Sequence, residues 1–141
     1  MMKSIRLALA LLLSLTSLAC TDYSTGLRQS AGTVDETAVI STMQTIATAQ
    51  RTYAVSNSGD YGTFPQLCAA GMLDERFNSS QPEVRGYVLT MNVSEQAFSC
   101  NADPAPSGKQ QAARHFYVDS TSAVLHANPT QPASATDPPV N

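Results

Sequence analysis

The chain has 141 residues, with 8 lysines and arginines against 11 aspartates and glutamates, and a formal net charge of −3. That length accommodates one domain with short appendages. An acidic chain without a basic patch argues against nucleic acid as a partner. The same charge argues against electrostatic attraction to anionic lipid.

Residues 1–19 have the pattern of an export signal. Lys3 and Arg6 form a short basic segment, and residues 7–19 form an apolar run. The run is too short to cross a hydrocarbon core about 30 Å thick as a stable helix. It is typical of a secretory signal and is therefore excluded from the fold. Its removal takes Lys3 and Arg6 away and leaves a mature net charge of −5.

The junction Ser17-Leu-Ala-Cys20 resembles a bacterial lipoprotein signal, although Ser17 stands where leucine is usual. The resemblance implies cleavage before Cys20 and acylation of this cysteine. Several acyl chains, at about 0.8 kcal/mol per buried methylene, make a lasting membrane anchor. Because Thr21 rather than aspartate follows, the resemblance implies an exported protein held at the outer membrane of a cell with two membranes. The alternative is an ordinary signal peptide that leaves Cys20 free or removes it.

A tether and an amphipathic helix are predicted next. Residues 20–32 are small, polar and aperiodic, which is typical of a flexible tether. Residues 34–55 predict a long helix, with Thr33 and Glu36 at the spacing of a capping box and Gln50 as one polar break. Its apolar stripe, at three- and four-residue steps, consists of Val39, Ile40, Met43, Ile46, Ala47, Tyr53 and Ala54.

The remainder predicts a short helix and two β-hairpins. Thr63 would cap the helix, Pro65 would lie in its first turn, and Gly71 would end it in a left-handed conformation. From residue 86 onward the apolar residues alternate with a period of two, which predicts strands. Residues 74–85, between the helical and the strand patterns, are predicted to be irregular. The four predicted strands are residues 87–93, 96–101, 114–118 and 123–127.

The predicted fold class is α+β, a long N-terminal helix packed on a four-stranded antiparallel sheet. Residues 1–19 are the signal peptide and residues 20–32 the tether. Residues 33–128 form the folded domain, and residues 129–141, which lack an apolar period, form a disordered tail.

The order of these elements resembles the globular head of type IV pilins and of the type II secretion major pseudopilin. The likeness covers residues 34–128. It is carried by the helix phrase Asp35-Glu-Thr-Ala-Val-Ile-Ser-Thr-Met-Gln-Thr-Ile-Ala-Thr-Ala-Gln-Arg-Thr-Tyr53, the loop Asp60-Tyr-Gly-Thr-Phe-Pro-Gln-Leu67, Gly71-Met-Leu-Asp74, and the strand openings Gly86-Tyr-Val88 and Arg114-His-Phe-Tyr-Val-Asp119. A pilin, however, begins with a prepilin-peptidase site and a long apolar helix, whereas a lipoprotein signal stands here. We therefore expect a lipid-tethered pilin-like head that is not a standard filament subunit.

Cys68 and Cys100 are the two cysteines of the domain. In an exported protein a disulfide between them is the expected state. The bridge would close a loop of about 33 residues and stabilise the fold by roughly 3–4 kcal/mol in the chain-entropy model. The alternative is a pair of buried free thiols.

The remaining polar and aromatic residues do not form a recognisable catalytic or metal-binding motif. His115 and His126 would face each other across the last hairpin if its turn had two residues, but no third metal ligand is evident. The aromatic residues, Tyr117 included, are expected in the core. No nucleophile motif, phosphate loop or dinucleotide fingerprint is present, so neither an enzyme nor a cofactor is predicted.

The predicted function is structural or interactive. The protein would be a lipid-anchored envelope protein whose partners are the membrane, through its anchor, and proteins of a pilus or type II secretion apparatus. The alternative is a surface binding or adhesion module for a small ligand or polymer. The expected working surface is the exposed face of the sheet, with the loops at residues 57–62, 74–86 and 102–113.

Overall fold

The computed structural model describes residues 20–106 and 113–141, with side chains from residue 35 onward. The predicted signal peptide lies outside the described residues, as do residues 107–112 of the predicted loop at residues 102–113. The chain divides into two compact units, residues 1–33 and 34–141. The sheet and the core that packs on it belong to the second unit.

Helix α1 spans Cys20–Ser56. The predicted start at Thr33 is therefore wrong, and the residues of the predicted tether are helical. That they connect an anchor to the domain stays a prediction. Thr33 is inside the helix, so Glu36 does not complete a capping box at its start. The Glu36 carboxylate instead accepts hydrogen bonds from Arg114, in a distant part of the chain.

The short helix α2, Phe64–Ala69, forms as predicted. The side-chain oxygen of Gln66 accepts a hydrogen bond from the Thr63 amide at 2.8 Å, which satisfies one free donor at the helix start. Gly71 has a φ of 71°, the left-handed conformation that glycine adopts without a steric penalty. A single turn of 3₁₀-helix, Glu75–Phe77, follows.

Among the residues that the structure describes, the sheet has five antiparallel strands, so the predicted four-stranded sheet is wrong. Its strands lie in chain order, β1 Glu83–Val84, β2 Tyr87–Ser94, β3 Ala97–Pro104, β4 His115–Asp119 and β5 His126–Asn128. Strand β1 lies within the segment predicted to be irregular. It pairs with β2 through a two-residue turn at Arg85 and Gly86, whose φ angles are 53° and 77°. A two-residue turn in which both residues have a positive φ matches the right-handed twist of the two strands that it joins.

The core lies between the inner face of the sheet and one stripe of α1. Val39, Met43 and Ile46 of the predicted stripe are fully buried. They pack with alternate residues of the strands and with apolar residues of α2 and the loop that follows it, so the predicted helix-on-sheet packing is present. The buried apolar residues of the strands are Val84, Tyr87, Leu89, Phe98, Cys100, Ala102, Phe116, Val118 and Ala127.

Gln50, the polar break in the stripe, is fully buried and joins α1 to the loop before α2. Its side-chain oxygen accepts from the Gly62 amide at 2.9 Å, and its side-chain nitrogen donates to the Gly62 carbonyl at 2.6 Å. The same nitrogen lies 2.9 Å from the Met91 sulfur. Both main-chain groups of a buried residue are thus satisfied by one amide side chain.

The C-terminal residues 129–141 are ordered against the sheet, so the predicted disordered tail is not found. The Val140 amide donates to the Leu125 carbonyl at 2.8 Å, and Ala133 is buried. The pattern of prolines and small residues indicated disorder because it lacks an apolar period. Main-chain pairing with the edge of β5 does not require such a period.

Candidate functional site on the outer face of the sheet

The strand residues that alternate with the core residues form a polar outer face. Cross-strand pairing arranges them in rows, of which the central one is Thr90, Asn101, Tyr117 and His126. The row on one side consists of Asn92, Ser99 and Asp119, and the row on the other of Val88, Asp103, His115 and Asn128. Hydroxyl, amide, carboxylate and imidazole groups therefore share one surface opposite the helix.

Tyr117 and Asp119 form a hydrogen-bonded pair on this face. The Tyr117 hydroxyl donates to one carboxylate oxygen of Asp119 at 3.2 Å. The other oxygen accepts from the Thr121 and Ser122 amides at 2.9 and 3.2 Å, which holds the turn after β4 in place. Burial, followed by the charge of Asp119, raises the pKa of Tyr117. The hydroxyl is therefore protonated and acts as a donor at physiological pH.

A shallow groove of about 270 Å³ lies beside this pair. Its polar side chains present both hydrogen-bond donors and acceptors, and its volume is slightly below the roughly 300–1,000 Å³ of typical ligand pockets. The groove is lined by Asn92, Val93, Ser94, Ala97, Phe98, Ser99, Tyr117, Asp119, Ser120 and Thr121. Tyr117 was expected in the core. It lies on the outer face because Phe116 and Val118, its neighbours in a period of two, are buried.

The two histidines do not face each other. His126 pairs with Tyr117, and His115 pairs with Asn128, so they are diagonal neighbours on the same face. The residues between β4 and β5 make a longer connection than the two-residue turn that would place them opposite. His115 Nδ1 lies 2.6 Å from a carboxylate oxygen of Asp103.

His126 Nδ1 lies 2.6 Å from the main-chain carbonyl of Asp137. Because a carbonyl only accepts, this nitrogen carries the proton. Each imidazole is thus already engaged with a different partner. In residues 20–106 and 113–141, no cluster of three histidine, cysteine, aspartate or glutamate side chains could hold a metal ion.

The predicted disulfide is absent, because Cys68 and Cys100 are both free thiols. The Cys100 side chain is on the inner face of β3, where its sulfur lies 3.8 Å from the sulfur of Met43 in α1. The Cys68 thiol donates to the Asp74 carbonyl at 3.3 Å, on the outer side of α2. The two side chains therefore point to different neighbours, which the cysteine spacing alone did not reveal.

Cys20, the predicted lipidation site, is the first residue of α1, but its side chain lies outside the described part of the structure. Lipidation stays a prediction. Within the residues that are described, no helix combines the length and the apolar character needed to cross a bilayer.

A second groove, of about 450 Å³, follows the exposed side of α1. It is lined by Ser41, Gln44, Thr45, Thr48, Ala49, Thr52 and Met72. Three of its threonine hydroxyls donate to carbonyls one turn earlier in the same helix, at 2.9 to 3.0 Å. Their donors are therefore occupied, which leaves this groove less suited to binding than the outer face of the sheet.

Comparisons with protein families, with curated proteins and with solved structures found no match for this chain. The case for a function therefore rests on the sequence motifs and on the geometry of the outer face.

Proposed function

We propose that this chain is a lipid-anchored protein of the cell envelope with a pilin-like head. Its role is structural or interactive, as an accessory of a type IV pilus or of type II secretion. Its membrane placement rests on the signal that ends at Cys20. Its interaction role rests on one observation, the polar outer face formed by alternate residues of β2 to β5.

The likeness to a pilin head rests on the order of motifs from Asp35 to Asp119. A helix with a buried apolar stripe precedes an antiparallel meander, which accords with that order. Since the sheet has its helix on one face, the opposite face is the one a partner protein would meet. That face carries no large apolar residue of high exposure, which fits a reversible and polar contact better than a permanent one.

The anchor is tested by substituting Cys20 with serine in the complete chain. We expect the parent protein in the membrane fraction, with a mature N-terminal peptide whose mass includes acyl chains. The Cys20→Ser protein would lose both properties. Cys68→Ser is the matched control, since it removes a cysteine that the signal does not involve. A parent protein that is soluble and carries no acyl chain would contradict the anchor.

The interaction role is tested by cross-linking in the native envelope, followed by identification of the captured proteins. We expect pilus or secretion components, and we expect their recovery to fall when Asn92 and Tyr117, two outer-face residues that line the groove, are both changed to alanine. Thr45→Ala, on the exposed side of α1, is the control that should leave recovery unchanged. Equal recovery with all variants would contradict the outer face as the contact surface.

The second candidate is a surface module that binds a small polar ligand or a polymer, and the groove beside Tyr117 and Asp119 favours it. Titration with a panel of neutral oligosaccharides, followed by the chemical shifts of the groove residues, is the direct measurement. Saturable shifts that disappear in Tyr117→Ala, in the absence of any captured envelope protein, would replace the first proposal with the second.

A further inference from the structure

The Asp119 carboxylate brings a negative charge to the groove on the outer face, and no lysine, arginine or histidine among the described side chains forms an ion pair with it. The ion pairs between those side chains are Asp74 with Arg76, Glu36 with Arg114, and Asp103 with His115. None of the residues that line the groove is basic. A cation is therefore the charge that complements this groove.

The Asp119 carboxylate also has room for one more hydrogen-bond donor. One of its oxygens accepts from the Tyr117 hydroxyl, and the other accepts from the Thr121 and Ser122 amides. A carboxylate offers about four lone-pair sites, so one site stays open, on the oxygen that Tyr117 bonds. A lysine ammonium is a point charge that needs one such site, whereas the bidentate contact of an arginine needs a free site on each oxygen.

The rest of the lining suits the two parts of a lysine side chain. Val93, Ala97 and Phe98 supply apolar surface for its methylene stem. The other two donors of an ammonium can bond hydroxyl oxygens and the side-chain oxygen of Asn92. The hydroxyl groups of the lining, apart from that of Tyr117, belong to Ser94, Ser99, Ser120 and Thr121. Since the volume of about 270 Å³ is below the range of typical ligand pockets, the groove fits one side chain better than a whole drug-sized molecule.

We propose that the groove beside Tyr117 and Asp119 binds a lysine side chain that a partner protein presents to the outer face. This inference rests on the interaction role proposed above, and it names the chemistry by which the outer face selects its partner. The occupant follows from the unbalanced carboxylate, its single open acceptor site and the apolar strip beside it. The chain as a whole has a net charge of −3, so a basic partner surface is attracted at longer range as well.

The first test is a titration of the full chain, isotope-labelled and purified in detergent, with a blocked tripeptide that has lysine between two glycines. We expect saturable chemical-shift changes at the groove residues, and binding several-fold weaker when the salt concentration is raised tenfold. The same tripeptide with its lysine acetylated on Nζ is the matched ligand control, because acetylation removes the charge. It should leave the groove resonances unchanged. Equal shifts from the two tripeptides, or none from either, overturn the proposal.

Asp119→Asn removes the charge but keeps the size of the side chain and an oxygen for the Thr121 and Ser122 amides. It should weaken binding of the lysine tripeptide several-fold. Glu75→Gln, which removes an equal charge from the exposed 3₁₀ turn, is the control and should bind like the parent. Circular dichroism shows whether each variant is folded like the parent. Unchanged binding by a folded Asp119→Asn protein, or groove shifts with neutral oligosaccharides alone, would mean that the proposal is wrong.

The second test locates the lysine in the native envelope. A carbodiimide joins a carboxylate to an amine only where the two are in contact, so it should link Asp119 to a lysine of another protein. Mass spectrometry identifies the linked peptides, which the Asp119→Asn chain should lack. Envelope proteins captured through the outer face but never linked at Asp119, with equal recovery by Asp119→Asn, contradict this inference and leave the proposed function standing. Lysine binding in the groove without any captured envelope protein supports the inference and contradicts the proposed function instead.

Discussion

The Glu36 carboxylate accepts three hydrogen bonds from Arg114, one from its main-chain amide at 2.9 Å and two from its guanidinium at 2.9 and 3.0 Å. This contact joins α1 to the residue just before β4, across 78 positions of sequence. The carboxylate side chain is largely shielded from solvent, whereas the guanidinium is partly exposed and lies over the Phe116 ring. The helix is therefore held on the sheet by a polar contact as well as by the apolar core.

Glu36→Ala should lower the free energy of unfolding by about 1–2 kcal/mol. Hydrogen bonds to a charged group stabilise by roughly 1.5–3 kcal/mol, and the exposure of the guanidinium reduces this value. Urea unfolding followed by circular dichroism measures the change. Glu95→Ala, at the exposed turn between β2 and β3, is the control and should change stability by less than about 0.5 kcal/mol. Equal effects of the two substitutions would show that the contact with Arg114 contributes nothing.

Gln50→Leu should destabilise the domain by about 2–4 kcal/mol. The leucine keeps the volume but leaves the amide and the carbonyl of Gly62 buried without partners, at roughly 1–3 kcal/mol for each group. Gly62 cannot easily move away, since even an added Cβ would lie 3.1 Å from the Tyr53 ring. Denaturant unfolding is again the measurement.

Gln44→Leu is the matched control for Gln50, because it makes the same change on the exposed side of the same helix. It should leave stability almost unchanged. A Gln50→Leu protein as stable as the Gln44→Leu protein would contradict the structural role assigned to the buried amide.

Tyr87→Phe should stabilise the domain by about 1 kcal/mol. Tyr87 is fully buried, and its hydroxyl has no hydrogen-bond partner among the described residues. A buried donor without a partner costs about 1–3 kcal/mol, which phenylalanine avoids while retaining the packing against Phe116. Tyr117→Phe is the opposite case, since that hydroxyl bonds Asp119, and it should be neutral or slightly destabilising. A thermal unfolding series that ranks the two variants the other way would refute this assignment.

Stability should fall in acid, partly through Asp137. The hydrogen bond from Asn128, followed by those from Ser134, holds the pKa of Asp137 below its ordinary value of 3.8. Such a group stabilises the folded chain above the ordinary pKa, and this contribution is lost as the pH falls through the lowered value. Asp137→Asn should therefore flatten the dependence of stability on pH below about pH 4.

Asp74 must be separated from Asp137 in that experiment. The neighbouring Arg76 holds the pKa of Asp74 below 3.8 as well, so Asp74 contributes in the same direction and the same pH range. Unfolding curves of Asp74→Asn, Asp137→Asn and the double variant between pH 2 and 6, a range that brackets the ordinary carboxyl pKa by about two units on each side, distinguish the two. An unchanged loss of stability in acid for Asp137→Asn would contradict the role of this carboxylate in holding the C-terminal residues against β5.

The two thiols of the domain should differ in reactivity. Burial raises the pKa of Cys100 to about 12, and this side chain has no exposed surface. Burial, with the charges of Glu75 and Asp74, also raises the pKa of Cys68, but that thiol is only partly covered. The thiolate is the reactive form, so iodoacetamide should modify Cys68 slowly and Cys100 only after unfolding. Mass spectrometry that finds neither thiol alkylated, even after unfolding without reductant, would restore the disulfide.

Local patterns determined a large share of this fold. The apolar stripe of α1, the period of two in β2 to β4, and the stop of α2 at Gly71 follow from sequence spacing and conformational preference. Each depends on neighbours a few positions away, and the structure agrees with the sequence on all three. The same period also implies that Tyr117 faces outward, a consequence obscured by the general tendency of aromatic side chains to be buried.

Only the tertiary structure decided which distant groups meet. In the sequence Gln50 interrupts the apolar stripe, and only the structure shows that it bonds Gly62. The sequence likewise predicts Glu36 as part of a helix cap, whereas in the structure it bonds Arg114. Strand β1, which the sequence did not predict, depends on a two-residue turn with no asparagine or aspartate to signal it. The placement of the C-terminal residues depends on the edge of β5, with which they pair. Cys68 and Cys100 remain free for the same reason. Hydrogen bonds and covalent bonds require atoms to approach within a few ångströms, and the spacing of residues along a chain does not specify that approach.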